Sequence, residues 1–530
     1  MKSADDILFE NGAPGSRDDE GRRRIDITLE DKAVLFISDA LNSGIVPELY
    51  VRNGGLSRIV DLDDGTGPRL AIQPIDANGL RALLARHSAC FRVRSTRLGP
   101  EETSGLPSVA VAKDVLSQPV WSGIPTLAGV ATTPVVRADG SFLQDPGYDP
   151  ATRLYLRPDF PHTPVEGAPD LPTIAAARRF LLDYVLADFV FDSPASRANF
   201  VGLLMTPLLR LFTQGVAPLG VISATTRGSG KSLLAEIIGS IYGWRMYPWP
   251  RKEEEMAKSI TAILRDTTEP LVTWDNVDVF DTVEHASLAM LLTSTHFSSR
   301  ILGVNSTFNG INDRLWCVTG NNVAVGGDIA SRSVLVRLDP QMERPDLRTG
   351  FVIDDLWSWL RDDANRAKLL RALLVLTAAW MAAGAPRERD LKMRNFSAWA
   401  QTMGGFTRFH GIDGFMDNRH EMEQADDDEA ATIAFLTKWH TKFGRQPQTA
   451  AQLLDSARVE NLNGEMYDSW DGVFPSKPDG RPFTAKGLGK FLTSRRGRIF
   501  SGWKLVGEQS RTGVWHYHVD RVEQQQAGAA

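Results

Sequence analysis

Thr225-Thr226-Arg227-Gly228-Ser229-Gly230-Lys231-Ser232 joins an apolar run, residues 219–224, to a run with helical spacing of apolar residues, 231–241. The order strand, glycine-rich loop, helix reads as a phosphate loop. Glycine lets the backbone curl until consecutive N–H groups and the helix N-terminus point at one anion. Lys231 then reaches the β and γ oxygens, and the Ser232 hydroxyl is placed on Mg2+. The usual spacing puts a glycine at position 225, where this chain has threonine, but the Gly228-Ser229-Gly230-Lys231-Ser232 core keeps its context. The expected ligands are ATP and Mg2+, held by Thr226, Arg227, Gly228, Ser229, Gly230, Lys231, Ser232 and Leu233.

Outward from the loop, strand and helix signals alternate: strand 219–224, helix 231–241, strand 245–249, helix 252–264, strand 271–275, helix 283–293, strand 315–319 and strand 333–338. That alternation predicts an α/β domain built on a parallel sheet. Strand 271–275, Leu-Val-Thr-Trp-Asp, ends in a carboxylate, so Asp275 at a strand tip beside the loop is expected to hold Mg2+ with Ser232. Asn276 follows, and an amide cannot accept a proton. Either Asn276 orients water while Glu269 or Asp278 assists, or hydrolysis is slow. The next strand ends in Gly320-Asn321-Asn322, where Asn321 would sense the γ-phosphate. Arg332, opening the strand 333–338, sits where a neighbouring subunit's nucleotide would receive a cationic finger.

These four elements, in this order, resemble the AAA+ and superfamily 3 helicase ATPases. More narrowly, they resemble the helicase-type C-terminal halves of phage- and plasmid-encoded primase-helicases. The residues that carry the resemblance are Gly228 to Ser232, Trp274-Asp275-Asn276-Val277, Thr319-Gly320-Asn321-Asn322 and Gly327-Asp328-Ile329-Ala330-Ser331-Arg332. Trp121-Ser122-Gly123-Ile124-Pro125, residues 134–141 and Gly147-Tyr148-Asp149 look like the segment that precedes such ATPases in mobile elements; Phe396-Ser397-Ala398-Trp399 resembles the region after the lid. The likeness spans about residues 30–420 and is strongest over 219–340. It implies a β-hairpin before the sensor strand that grips DNA. Residues 300–314 are its counterpart, with Asn309-Gly310 as the turn and Arg300, Phe308 and Arg314 as contacts.

Composition bounds the rest. The 530 residues carry 42% hydrophobic and 23% charged side chains, near the soluble globular average, so collagen-like and wholly disordered classes drop out. Cys90 and Cys317 belong to no C-x-x-C pair, which excludes a disulfide framework and cysteine-based zinc sites and fits a cytoplasmic setting. A net charge of −6 leaves no global positive field, so any nucleic-acid contact must be local. Residues 369–385 are the most apolar run but carry Arg371 and are too short to span a bilayer; they read as a buried helix, and no membrane partner is expected.

The expected organisation is a disordered tail (1–27), a small α+β region (28–165), the ATPase core (173–345), a helical lid (346–420), a winged-helix-like domain (430–522) and a second disordered tail (523–530), with a charged break at 421–429. Within 28–165, Asn53-Gly54-Gly55 reads as a hairpin turn. Residues 484–504 hold Lys486, Lys490, Arg495, Arg496, Arg498 and Lys504 with no acid among them, a local positive face suited to DNA. Trp357, Trp359 and Trp399 read as core anchors, and His516 and His518 as structural.

The function expected from these readings is an ATP-dependent DNA helicase or translocase acting in replication of a phage, plasmid or integrated mobile element. It would work as a homo-oligomer, a hexamer, with a primase or polymerase among its partners. The alternatives are a nucleotide-gated loader or regulator that binds ATP without unwinding DNA, and a small-molecule kinase using the same loop.

Overall fold

The computed structural model describes residues 16–63, 68–97, 99–278, 281–301, 306–342, 344–460, 466–477, 481–500, 502–511 and 513–522. They fall into two compact units, one of residues up to Arg137 together with Ser141–Asp159, the other of Ala138–Gly140 with Phe160 onward.

In the first unit, Arg23–Asp26 pairs parallel with Ser88–Thr96, which pairs antiparallel with Gly99–Ser104. Residues 23–26, expected within a disordered tail, are therefore a strand: Ile25 and Ile27 are buried and supply apolar area that a tail would lack. Residues 1–15 and 523–530 lie outside the described residues. Helices Glu30–Asn42, Ala77–His87 and Val109–Leu116 pack on one apolar cluster through Ile37, Leu41, Leu80, Leu84, Ala112 and Val115. A second sheet runs Leu49–Arg52, Gly55–Asp63, Pro68–Pro74. Its first turn is Asn53-Gly54, with φ of 51° and 80°, the doubly left-handed geometry that this dipeptide favours.

The second unit is organised by a five-stranded sheet whose strands we label β1 (Leu219–Ala224), β2 (Trp244–Pro248), β3 (Leu271–Val277), β4 (Leu315–Asn321) and β5 (Ser333–Leu338). The order is β2-β3-β4-β1-β5 and every pairing is parallel. All six residues of β1 are buried, as in a strand covered by helices on both faces. With α1 (Lys231–Tyr242), α2 (Glu253–Asp266) and α3 (Ala286–Thr293), the sheet is compatible with a phosphate-loop core. The strand ending at Asp275 is separated from β1 by β4.

Helix Pro194–Thr213 is buried along most of its length and packs against β5 and helix Ser397–Phe409. Its N-cap is Ser193, whose side chain accepts from the Ser196 N–H. Before it, helix Leu171–Arg179 is followed by a π-helical turn, Phe180–Val185. Helix Asp363–Ala382 buries Leu369, Leu373, Leu376 and Trp380, in line with the buried-helix reading. No helix among the described residues is long and apolar enough to cross a membrane. Trp399 is 1% exposed, but Trp357 is 53% exposed with the Arg361 guanidinium 3.2 Å from its ring centroid, so it is not a core anchor.

The stretch read as a charged break is helical: Arg419–Phe443 runs through it unbroken, because Ala431 onward restores apolar spacing that packs Phe435, Leu436 and Trp439 into the C-terminal core. That core also takes helices Ala450–Asp455 and Ala485–Arg495 and the antiparallel strands Ile499–Phe500, Trp503–Gln509 and Trp515–Arg521. His518 Nε2 lies 3.5 Å from the Asp520 carboxylate, a partner the sequence reading missed.

Candidate functional site

At the C-terminal end of β1 the chain enters the glycine loop. Gly228 and Gly230 have φ of +75° and +90°, a left-handed region closed to most side chains. A Cβ at Gly230 would lie 3.1 Å from Phe189 Cε1. Inside the loop, the Ser229 hydroxyl donates to the Thr226 carbonyl at 2.6 Å and lies 3.1 Å from the Thr226 hydroxyl. Thr225, at the position of the missing glycine, is tied to β5: its N–H donates to the Leu338 carbonyl and its hydroxyl to Asp339 Oδ1 at 3.0 Å. Arg227 and Ser232 are exposed and Leu233 is half-buried.

Two side-chain pairs meet where α1 begins. Lys231 Nζ donates to Asn321 Oδ1 at 2.7 Å. The Ser232 hydroxyl donates to Asp275 Oδ1 at 3.2 Å, and the Thr319 hydroxyl donates to the same oxygen. Burial pushes the Lys231 ammonium below its usual range, opposed by the Asp275 charge. An ammonium desolvated in this way gains more than an exposed one from an anionic ligand. Hydroxyl and carboxylate side by side are the hard oxygen donors that suit Mg2+.

Asp275 and Asn276 sit at a bulge. The β3–β4 register shifts between Trp274 and Val277, and Asn276 has φ of 59° with its N–H donating to the Thr319 hydroxyl. Bulges re-aim side chains at strand ends. Beyond it opens a cavity of about 540 Å³ lined by Trp249, Arg251, Asp275, Asn276, Asp278 and Asp281. Arg251 bridges Asp278 at 2.9 Å and Asp281 at 3.1 Å. Of the two carboxylates expected as alternative assistants, Asp278 therefore lies on the Asp275 side. Glu269 precedes β3 and pairs with Arg245 at 2.7 Å, at the opposite end of the strand, roughly 20 Å away at the usual rise per residue.

Arg332 donates to the Asp328 carboxylate, the Ala289 carbonyl and the Thr293 hydroxyl. Its backbone carbonyl accepts from Leu219 N–H, which places it at the start of β1, away from the glycine loop that follows Ala224.

The hairpin implied before β4 is present. His296–Ile301 pairs antiparallel with Ser306–Ile311, with Arg300 opposite Thr307. Its turn is not Asn309-Gly310: those residues pair with Ser298 and Phe297 inside the ladder, and the connection at 302–305 lies outside the described residues, as does the Arg300 side chain. Phe308 is half-buried. Arg314 is 7% exposed and donates to the Ile263 carbonyl and to the Thr267 hydroxyl and carbonyl, so it ties down the end of α2 and presents nothing to a DNA strand.

In the C-terminal segment Lys486 and Lys490 are exposed and line an open groove with Trp515 and Thr493. Arg495, Arg496 and Arg498 are only half-exposed, their guanidinium carbons 3.7, 4.4 and 4.9 Å from the ring centroids of Phe491, Trp515 and Phe500. Arg495 Nε also donates to the Thr432 hydroxyl.

Sequence reading missed an apolar cavity of about 150 Å³ beside the loop, lined by Phe189, Val190, Gly228 to Gly230, Leu233, Phe351, Ile353 and Leu356. Asp188 braces it, accepting from the Val352 N–H at 2.8 Å and from Arg348. The lining comes from three distant stretches, and the two that flank the glycine loop, around Phe189 and Phe351, carry no motif.

The class these features define is a five-stranded parallel sheet with a glycine loop at the end of a central strand. Among solved structures, the apo A form of the NrS-1 C-terminal region aligns at 9% identity and TM-score 0.32, over 78% of this chain and 92% of that one. The active helicase Cch of SCCmec type IV aligns at 9% identity and TM-score 0.33, over 88% and 91%. No family model matches the sequence, and no curated protein does.

Proposed function

We propose that the chain is a Mg2+- and ATP-dependent ATPase of the helicase or translocase type, acting on DNA in replication of a phage, plasmid or integrated mobile element. The observation that carries this reading is the meeting of Lys231 with Asn321, and of Ser232 with Asp275, at the mouth of a loop with two left-handed glycines. Backbone N–H groups from Gly228 to Lys231 bind the phosphates, Lys231 neutralises their charge, and Asn321 reports on the γ-phosphate. Ser232 and Asp275 would hold Mg2+, which supplies charge neutralisation on the triphosphate. The apolar cavity around Phe189 and Phe351 receives the nucleobase.

In the reaction a water oxygen bonds to the γ-phosphorus while the bond to the β–γ bridging oxygen breaks. ADP leaves, and the water's proton ends on the phosphate formed. Asn276 orients that water and Asp278 lies on the same side. A cation from a second copy completes the charge neutralisation, which makes the working form a homo-oligomer, read as a hexamer. The DNA part of the reading rests on the hairpin before β4 and on exposed Lys486 and Lys490. A cytoplasmic location and a primase or polymerase partner belong to the same reading.

One observation favours the loader or regulator: an amide, Asn276, follows Asp275 where a carboxylate would activate water. ATP turnover measured with and without single-stranded DNA, alongside strand separation, tests the proposal. DNA-stimulated turnover with unwinding is expected; tight ATP binding with negligible turnover would replace it with the loader.

A further inference from the structure

A groove of about 700 Å³ opens between helices Ala450–Asp455 and Ala485–Arg495 and the strand Trp515–Arg521. Its walls are fixed to one another. Gln448 and Tyr517 exchange both backbone hydrogen bonds, at 2.7 and 2.9 Å, which ties the first helix to the strand. The Tyr517 hydroxyl, on a side chain 1% exposed, lies 2.8 Å from the Thr493 hydroxyl and donates to the Gly489 carbonyl at 3.3 Å. That ties the strand to the second helix, so the groove is formed before anything enters it.

Its lining divides into two chemistries. Ala450, Ala451, Gly489 and Val514 offer no polar side chain, and the Trp515 ring forms an aromatic wall. Lys486 and Lys490 stand one helical turn apart, both exposed, with no hydrogen bond or ion pair to another described residue, and no acid lines the groove. The arginines that could read base edges in a duplex are committed elsewhere. The Arg495, Arg496 and Arg498 guanidinium groups lie over Phe491, Trp515 and Phe500. Arg496 thereby covers one face of Trp515 and leaves a cation-backed ring at the groove. A duplex keeps its bases stacked inside and offers phosphates and base edges, so it has nothing flat to place in an apolar slot. A single strand offers a base for the ring and phosphates for the lysines. An acidic peptide would match the lysines, but the Trp515–Arg496 stack favours a planar π-face over an aliphatic side chain.

We propose that the groove holds an unstacked base of a DNA single strand against Trp515, with Lys486 and Lys490 on the phosphates beside it. The inference rests on the DNA part of the reading above and names the form of DNA this site takes, a single strand rather than a duplex with the helix laid in its major groove.

The experiment uses the full chain and two labelled probes, an oligothymidylate and its complementary duplex, in anisotropy titrations at several salt concentrations. Gly489→Leu fills the groove from one wall. An added Cβ there meets the Ala450 Cβ at 4.0 Å and the backbone is ordinary helix, so the thermal midpoint should not fall. Its affinity for the single strand should drop about tenfold while duplex affinity stays within about twofold. Lys486→Ala combined with Lys490→Ala should make the fall of log affinity with log salt shallower by about 1.4, the share of two phosphates on a single strand. Wild-type single-strand affinity in Gly489→Leu would overturn the proposal, and so would equal losses for single strand and duplex. A fluorescein-labelled Glu/Leu peptide is the third probe. If Gly489→Leu abolishes its binding and leaves the single strand unaffected, the groove is a protein-docking site instead. If wild type binds neither DNA probe, the DNA part of the reading itself fails; if wild type and both variants bind the single strand alike, only the groove is lost.

Discussion

Lys231 Nζ donates to Asn321 Oδ1 at 2.7 Å, joining the first residue of α1 to the last residue of β4 across 90 positions of chain. An amide oxygen satisfies the ammonium without neutralising it, so the positive charge stays available to a phosphate. Asn321→Ala should leave ATP-analogue binding within about threefold and lower turnover about 100-fold, the scale of losing one positioned polar group at a transition state. Single-turnover kinetics on the variant check this. Binding and turnover falling together would place Asn321 in ground-state binding instead.

Gly230→Ala should weaken analogue binding more than it weakens the fold. At φ +90° an added Cβ costs about 1–2 kcal/mol, and it would press on Phe189 Cε1 at 3.1 Å, which must give by a few tenths of an ångström. A midpoint lower by a few degrees, with analogue affinity down at least about tenfold, is the expected pair of results from thermal melts and titration.

Asp278 and Glu269 make a matched comparison. Asp278→Asn should reduce turnover about 10–100-fold, since it lies with Asp275 and Asn276 on one cavity wall. Glu269→Gln, at the far end of β3 and paired to Arg245, should leave turnover within about twofold. Steady-state assays on both, at saturating ATP, give the answer.

Much of the core was legible because its signals are local. Strand β5 matches residues 333–338 as expected, and Asn53-Gly54 turns as its chemistry demands. What failed depends on distant partners. Asn309-Gly310 is a strong turn signal, yet register against Phe297 and Ser298 keeps it in a strand, with Phe308 lying over Gly310. Arg314 looks like any surface arginine until Ile263 and Thr267 are seen to accept from it. Nothing local could reveal that β4 separates β1 from β3, or that Phe189 and Phe351 share a cavity.

Arg314→Ala accordingly tests stability, not DNA affinity. Removing a buried guanidinium that satisfies carbonyls of Ile263 and Thr267 should cost about 3 kcal/mol in denaturant unfolding. In conditions where the variant remains folded, its affinity for single-stranded DNA should match wild type. A tenfold loss of DNA affinity with unchanged stability would restore it as a contact.

His410 makes the fold acid-sensitive. Its Nε2–H donates to the Leu376 carbonyl at 2.9 Å, and burial, with nearby Arg178 adding to it, pushes its pKa down to about 4. A histidine depressed in the folded state binds its proton first in the unfolded chain, so the stabilisation is present above about pH 6.5 and is lost as pH falls toward 4. The loss approaches about 3 kcal/mol. Unfolding midpoints from pH 7 to 4.5 should fall for wild type and fall less for His410→Gln.

Binding of a fluorescent ATP analogue with Mg2+ to wild type and to Lys231→Ala, each shown to be folded by its thermal midpoint, bears most directly on the nucleotide reading. Saturable binding to wild type, weakened at least about 100-fold in Lys231→Ala, is the predicted result. Equal binding by both proteins, or none by wild type, would contradict it.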